Sequence, residues 1–192
     1  MKRLFAHLRQ DERGITGLET AIILIAFVVV ATVFAFIVLT TGIFSAERGK
    51  ETVYAGLQKA RGTMELRGGV IVKSATPPTV DTIEFTVATV AAGDPIPMDP
   101  AATNNRTVFS YRDKTVVDND VPYTITVISG DTDNLLEPGE LFLVSVAVAD
   151  IDGPPVIEAN SRWTLELQTP VGAVIDLTRS MPAEIDTVMQ LH

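Results

Sequence analysis

Few side chains in this sequence could do chemistry, and their positions limit what that chemistry is. There is no cysteine, and the two histidines, His7 and His192, stand one near each end. Thiolate nucleophiles, disulfides, thiolate zinc sites and iron–sulfur clusters are thereby excluded. A Ser-His-Asp triad or a multi-histidine metal centre finds almost no material. Carboxylates are plentiful, 24 Asp and Glu in 192 residues. Paired carboxylates do acid–base work in glycosidases, but so acidic a chain forms many accidental pairs. Two local patterns stand out. In GDTDNLLEPGE, residues 130–140, Asp131 and Asp133 match positions 1 and 3 of a calcium loop. Leu135 and Leu136 replace the usual ligand and glycine, and Glu140 comes two positions early for the bidentate carboxylate. An EF-hand is excluded. A different calcium site, built from Asp131, Asp133 and Glu140 with backbone carbonyls, competes with a solvated turn, and no other cofactor is expected. The second pattern, Asn105-Arg106-Thr107, is an N-glycosylation acceptor triplet in a Pro/Asp/Asn-rich loop, where exposure is expected.

The charge balance points away from nucleic acid. With 15 Lys and Arg, a net charge of −9 and a pI near 4.6, the chain lacks the basic footprint that displaces counterions from phosphates. The imbalance is local. Residues 15–74 hold six basic and four acidic residues, and residues 75–192 hold five and eighteen, giving +2 and −13. Solubility accounts for that sign; a salty environment or a coat of bound cations would account for it equally.

The element that must position everything else is at the N-terminus. No charge occurs from Thr20 to Ala46, and the stretch Ala21–Leu39 is almost wholly apolar. About 20 such residues at 1.5 Å each cross the roughly 30 Å hydrocarbon layer of a bilayer. Lys2, Arg3, Arg9 and Arg13 precede the stretch, so the N-terminus is expected to stay cytoplasmic while the C-terminal part is translocated. The apolar run exceeds the 7–15 residues of a secretory signal core and lacks a convincing A-x-A site after it. A permanent signal anchor and a precursor cut ahead of the apolar stretch, between Gly14 and Ile15, both fit.

The run ERGITGLETAIILIAF, residues 12–27, resembles the processing site of archaellins, the archaeal flagellins, and of type IV pilin-like proteins more broadly. The charged residues before Gly14, the apolar Ile15 and Glu19 at the fifth position after the cut carry the resemblance. The stretch from Ile15 to about Ser74 is similar to the archaellin helix, and TPVGAVIDLTRSMPAEIDTVMQLH, residues 169–192, to archaellin C-termini. The resemblance implies a leader, 1–14, removed by a dedicated membrane peptidase. It implies an assembly helix kept on the mature chain, and an extracellular filament built from identical or paralogous subunits by membrane assembly and motor machinery. The precursor would sit in the cytoplasmic membrane.

The residues give an independent reading of that helix. Between Ile15 and Leu66 there is no proline, although the chain has eleven; about 52 residues give a rod of roughly 80 Å. Val53, Leu57, Ala60 and Met64 follow helical spacing in its second half. Ala35, Gly42, Gly49 and Gly56 recur every seven residues on one slowly drifting stripe. Gly17 and Ala21 form a further small-xxx-small pair. A helix-interior glycine costs about 0.5–1 kcal/mol relative to alanine. Either close helix–helix packing between subunits repays that, or the glycines reflect flexibility or chance. Glu19, a carboxylate at the edge of an apolar run, is costly to bury alone. It either faces the membrane–water interface or pairs with the new α-amino group of Ile15, whose reference pKa is about 8.

Gly68-Gly69 is expected to end the helix. Beyond it, runs rich in Val, Ile, Thr and aromatics alternate with turn residues. Strands are predicted at Val70–Ala75, Thr82–Val90, Thr107–Arg112, Tyr123–Ser129, Glu140–Ala149, Trp163–Thr169 and Ala173–Leu177. Ile83, Phe85 and Val87, alternating with Glu84, Thr86 and Ala88, mark one buried face. The expected fold is therefore α+β: a leader over 1–14, a long hydrophobic helix over 15–68, and an antiparallel, immunoglobulin-like β-sandwich over 70–192. The resemblance to archaellins implies a structural function, a non-enzymatic filament subunit that polymerises through its helix to support swimming. An adhesive or DNA-uptake pilin and a membrane-anchored surface protein are the competing readings.

Overall fold

A computed structural model describes the backbone of residues 4–90 and 93–191, with side chains from residue 16 onward. One helix, α1, runs from Leu4 to Arg61, 58 residues or about 87 Å. Its length follows from the absence of proline and the run of residues that place no polar side chain against the backbone. The chain divides into two compact units, Met1–Val53 and Tyr54–His192, so the last two turns of α1 belong with the β-rich part.

Eleven strands follow among the described residues. They are β1 (Met64–Lys73), β2 (Thr82–Thr89), β3 (Ile96–Pro97), β4 (Val108–Arg112), β5 (Val117–Asp118), β6 (Thr124–Ser129), β7 (Leu135–Leu136), β8 (Leu141–Ala147), β9 (Arg162–Gln168), β10 (Val174–Ser180) and β11 (Val188–Leu191). A five-stranded sheet has the order β11-β1-β2-β8-β6 and a four-stranded sheet the order β10-β9-β4-β5; β3 and β7 form a separate pair. All pairings are antiparallel. Inward residues of both large sheets share one core, and the Phe85 and Phe109 rings meet across it with centroids 6.1 Å apart. Alternation produces this, throughout β8 and along β2 as far as Val87, beyond which Ala88, expected to face outward, is buried as well. Along β2, Ile83, Phe85 and Val87 are buried while Glu84 and Thr86 face outward; Phe142, Val144 and Val146 do the same on β8. The predicted sandwich is present, and each of the seven predicted strands coincides with an observed one to within a few residues, β1 excepted.

The helix boundary differs from the sequence expectation. Alpha-helical geometry stops at Arg61, seven residues early, and Met64, expected on the helix, is a buried core residue of β1. Measured from Ile15, the rod is about 70 Å rather than 80 Å. Thr63 is β-branched, and Met64, with Leu66 partly buried, packs on the sandwich core, so tertiary burial overrides helical spacing. Gly68-Gly69 sits inside β1. The pairing with β2 slips between Arg67 and Ile71, and Gly68 has φ +89°. The glycines permit a bulge in a long strand, not a helix cap.

The helix end is nevertheless well closed. The orphan carbonyls of a helix C-terminus need donors. Here Arg61 O accepts from Asp94 N at 2.9 Å, Gly62 O from Thr169 Oγ1 at 2.9 Å, and Thr63 O from Val90 N at 3.3 Å. Thr63 Oγ1 in turn accepts from Ala173 N at 3.0 Å, and the Arg61 guanidinium lies 2.8 Å from Asp94. The turn between β9 and β10 thus reaches back over 107 residues to the start of the strand region.

Candidate assembly surface

Every described side chain of α1 from Thr16 to its end is exposed in the isolated chain. That includes Phe27 at 71%, Phe34 at 68% and Phe36 at 69%. The apolar residues surround the helix instead of lining one face. A helix apolar all round is stable only with something on every side, either lipid or protein. The segment Thr16–Arg61 is the one described helix long and apolar enough to cross a membrane. Four of its threonine hydroxyls are already satisfied. Thr20, Thr32, Thr40 and Thr41 each donate the hydroxyl proton to a carbonyl three or four residues back, at 2.7–2.9 Å. None of these hydroxyls demands water or a partner chain. Where the apolar run ends, Arg48 stacks over Phe44 at 5.2 Å and bonds Glu51 at 3.0 Å.

The small residues lie on open helix surface. A Cβ built at Gly17, Gly42, Gly49 or Gly56 meets nothing within 4 Å. Ala21 and Ala35 are exposed, as is Glu19. No contact among the described residues requires glycine at these four places. The backbone of α1 passes through Gly14 and Ile15, and the side chain of Ile15 lies outside the described residues.

The β unit holds the remaining sites. Of the three calcium-loop residues, Asp131 and Glu140 come together with Glu137, the three offering carboxylate oxygens within 4.8 Å of one another. Asp133 stands outside that trio, its Oδ1 accepting from Leu135 N at 2.9 Å. Glu137 escapes a sequence reading because the EF-hand template places no ligand there. Glu140 is 8% exposed, and its two oxygens accept from Asp131 N and Glu137 N, both at 2.9 Å. The carboxylate therefore ties the two ends of this loop together. Gly130, at φ +134°, leaves room for it, since a Cβ there would lie 2.6 Å from Glu140 Cδ. Charged acceptors of this kind contribute about 1.5–3 kcal/mol per bond. Glu140→Ala is expected to lower the melting temperature of the full chain by about 4–10 °C, with Glu140→Gln, which keeps an acceptor, losing less. Thermal scans read the difference; equal melting for both would assign the loop's order elsewhere.

Asn105 is exposed, with φ +51°, and borders a cavity of about 160 Å³ whose lining includes Gln58, Asp94, Pro97 and Val171. Behind it, Tyr123 OH lies 3.2 Å from Thr107 O and 3.3 Å from Met98 O. Burial pushes the Tyr123 phenol up to about 12; Arg106 opposes the shift while Asp99 and Asp120 add to it. Tyr123 consequently stays a donor at any physiological pH.

The model of the archaeal-type flagellin family matches residues 14–179. A relative from Archaeoglobus fulgidus described as probable flagellin 2 is 32% identical over 191 residues, covering 91% of this chain and 92% of its own. Among solved structures, the archaeal flagellum of Methanospirillum hungatei superposes with a TM-score of 0.62 at 25% identity, covering 91% of this chain and 98% of that one. A crystallised archaeal flagellin from Methanocaldococcus jannaschii shares the fold, with a TM-score of 0.54 at 16% identity over 67% of this chain and 95% of that one.

Proposed function

The chain belongs to the archaeal-type flagellin family, and from that premise we propose an assembly route for its exposed helix. The protein is a structural subunit of the archaellum filament, an extracellular polymer that supports swimming. Its work is assembly, not catalysis. A membrane peptidase removes residues 1–14, a reading supported by the family match, which begins at Gly14. Until then the apolar segment holds the precursor in the cytoplasmic membrane. The helices then leave the bilayer and pack against one another, and neighbouring helices replace lipid around the same apolar surface. Assembly and motor machinery in the membrane drives growth and rotation. From lipid, the driving force is packing and not release of water, which is why small residues with no neighbour among the described residues matter.

The observation that carries this reading is a rod apolar on all sides, with its threonine hydroxyls closed on its own backbone. Such a surface suits lipid and a helical bundle equally. Glu19 is the exception. After cleavage it lies four residues from the cationic amine of Ile15, and in a medium without water each charge requires the other. Glu19→Gln is expected to cut filament yield at least tenfold while precursor level and processing are unchanged. Electron microscopy of sheared filaments and N-terminal sequencing of the membrane fraction measure both. Wild-type filament numbers from Glu19→Gln cells would remove the pairing. A mature protein that still begins with Met1 would remove the whole route.

The acidic loop yields a separate, smaller proposal. A cation bridging Asp131, Glu137 and Glu140 would relieve their mutual repulsion. Its signature would be a higher melting temperature in calcium than in chelator, and identical melting would dismiss it.

A further inference from the structure

The acceptor triplet divides between surface and interior. Asn105 is exposed, but Thr107 is 0% exposed, with its Oγ1 donating to Pro97 O at 2.9 Å and its N–H to the same oxygen at 3.2 Å. Arg106, between them, lays its guanidinium 2.5 Å from both carboxylate oxygens of Asp120. Tyr123 reaches Thr107 O from the core side, and its ring packs on Phe109 with centroids 4.3 Å apart. The acceptor amide can be reached, whereas the residue that qualifies it as an acceptor cannot.

We propose that Asn105 is glycosylated before the β unit folds, and that folding then closes the acceptor site. The triplet rule requires Ser or Thr two residues after the asparagine, so the transferase must read that hydroxyl. Reading it means placing a polar atom within about 3 Å of Thr107 Oγ1. In the folded chain that position is enclosed, and the hydroxyl proton is already given to Pro97. Freeing the triplet requires local opening at Pro97, Tyr123 and Asp120 together, and Tyr123 is part of the hydrophobic core. In the transfer itself, Asn105 Nδ2 bonds to the anomeric carbon of a saccharide carried on a lipid phosphate. The bond from that carbon to the phosphate oxygen breaks, the lipid phosphate departs with the electron pair, and Nδ2 releases one proton to a base. Afterwards Asn105 keeps its left-handed conformation at the surface, which the modification does not disturb.

The test presents the full-length chain in detergent to a purified oligosaccharyltransferase and its lipid-linked saccharide donor. One sample is folded; the other is freshly diluted from denaturant. Mass spectrometry of the Asn105 peptide scores transfer. Initial transfer to the folded sample is expected at less than a tenth of the rate for the unfolded one. The double variant Asp120→Asn, Tyr123→Phe, which loosens two anchors and keeps the triplet, should raise transfer to folded protein several-fold. Protein recovered from the cell surface should carry saccharide on Asn105. Equal rates on folded and unfolded chains, or an unmodified Asn105 in the native protein, would overturn the proposal. These readouts are independent of whether the chain polymerises.

Discussion

Gly42→Leu or Gly49→Leu is expected to leave the β unit as stable as before and to strip the cell of filaments. The two halves of that result have separate causes. Among the described residues nothing lies within 4 Å of a Cβ at either glycine, so the larger side chain meets no obstacle from them. Leucine is also a better helix former than glycine by roughly 0.5–1 kcal/mol, so α1 itself gains. Between chains the sign reverses. Helices that meet over small residues approach closely, and an added side chain forces them apart at about 1–3 kcal/mol per contact. That is a factor of about 5–150 in each association step, and in a polymer it acts at every subunit. Gly42→Ala sharpens the comparison. Helix propensity alone forecasts better assembly, and close packing forecasts worse. Filament yield by electron microscopy, with membrane precursor measured in parallel, decides between them. Abundant filaments from Gly42→Leu would show that the stripe is incidental.

Gly172→Ala acts at the opposite place, within the chain. A Cβ at residue 172 would fall inside the Gly62 carbonyl group, 2.5 Å from its carbon, and against Thr169 Oγ1. The obstructing atoms are backbone and a hydroxyl already bonded to Gly62 O and Gly172 N. No flexible side chain is available to swing away. One methyl group must therefore separate the β9–β10 turn from the end of α1 and break the bonds that close its carbonyls. A cost of about 3 kcal/mol or more follows, lowering the melting temperature by about 6–12 °C for a chain of this size. Thr169→Val, which removes the same hydrogen bonds without the clash, should cost less. A Gly172→Ala chain that melts like wild type would mean the turn is not held where the structure places it.

How far the sequence disclosed this molecule depends on the range of the interactions involved. The apolar rod was readable from an uncharged gap of 27 residues, Thr20 to Ala46, because membrane-like length needs only a local count. The main strands were readable from alternation such as Ile83-Phe85-Val87, since a half-buried sheet imposes a period of two. The end of the helix is not legible locally, because glycine serves both as a helix stop and as a bulge residue. Gly68 takes φ +89° in a strand whose partners lie about 20 and 120 residues further on. The two-residue strands β3, β5 and β7, and the four-residue β11, have no periodicity to detect. The pairing of Thr169 with Gly62 joins residues 107 apart and left no local trace beyond a Thr-Pro-Val-Gly turn. In the acidic loop, template spacing suggested Asp133, whereas the fold brings Glu137 beside Asp131 and Glu140. Burial of Thr107 could not be foreseen either, because the triplet by itself gives no sign of Pro97 or Tyr123.

The self-bonded threonines of α1 have a consequence for how growth can be reversed. Moving a rod from oil into a protein bundle normally carries a toll for each hydroxyl that must change partners on the way. Here Thr20, Thr32, Thr40 and Thr41 take their acceptors with them. The transfer thus involves no desolvation step and no exchange of polar partners along this stretch. The threonines favour neither compartment, so the direction of traffic is left to shape, to charge at Glu19 and to the machine that pushes.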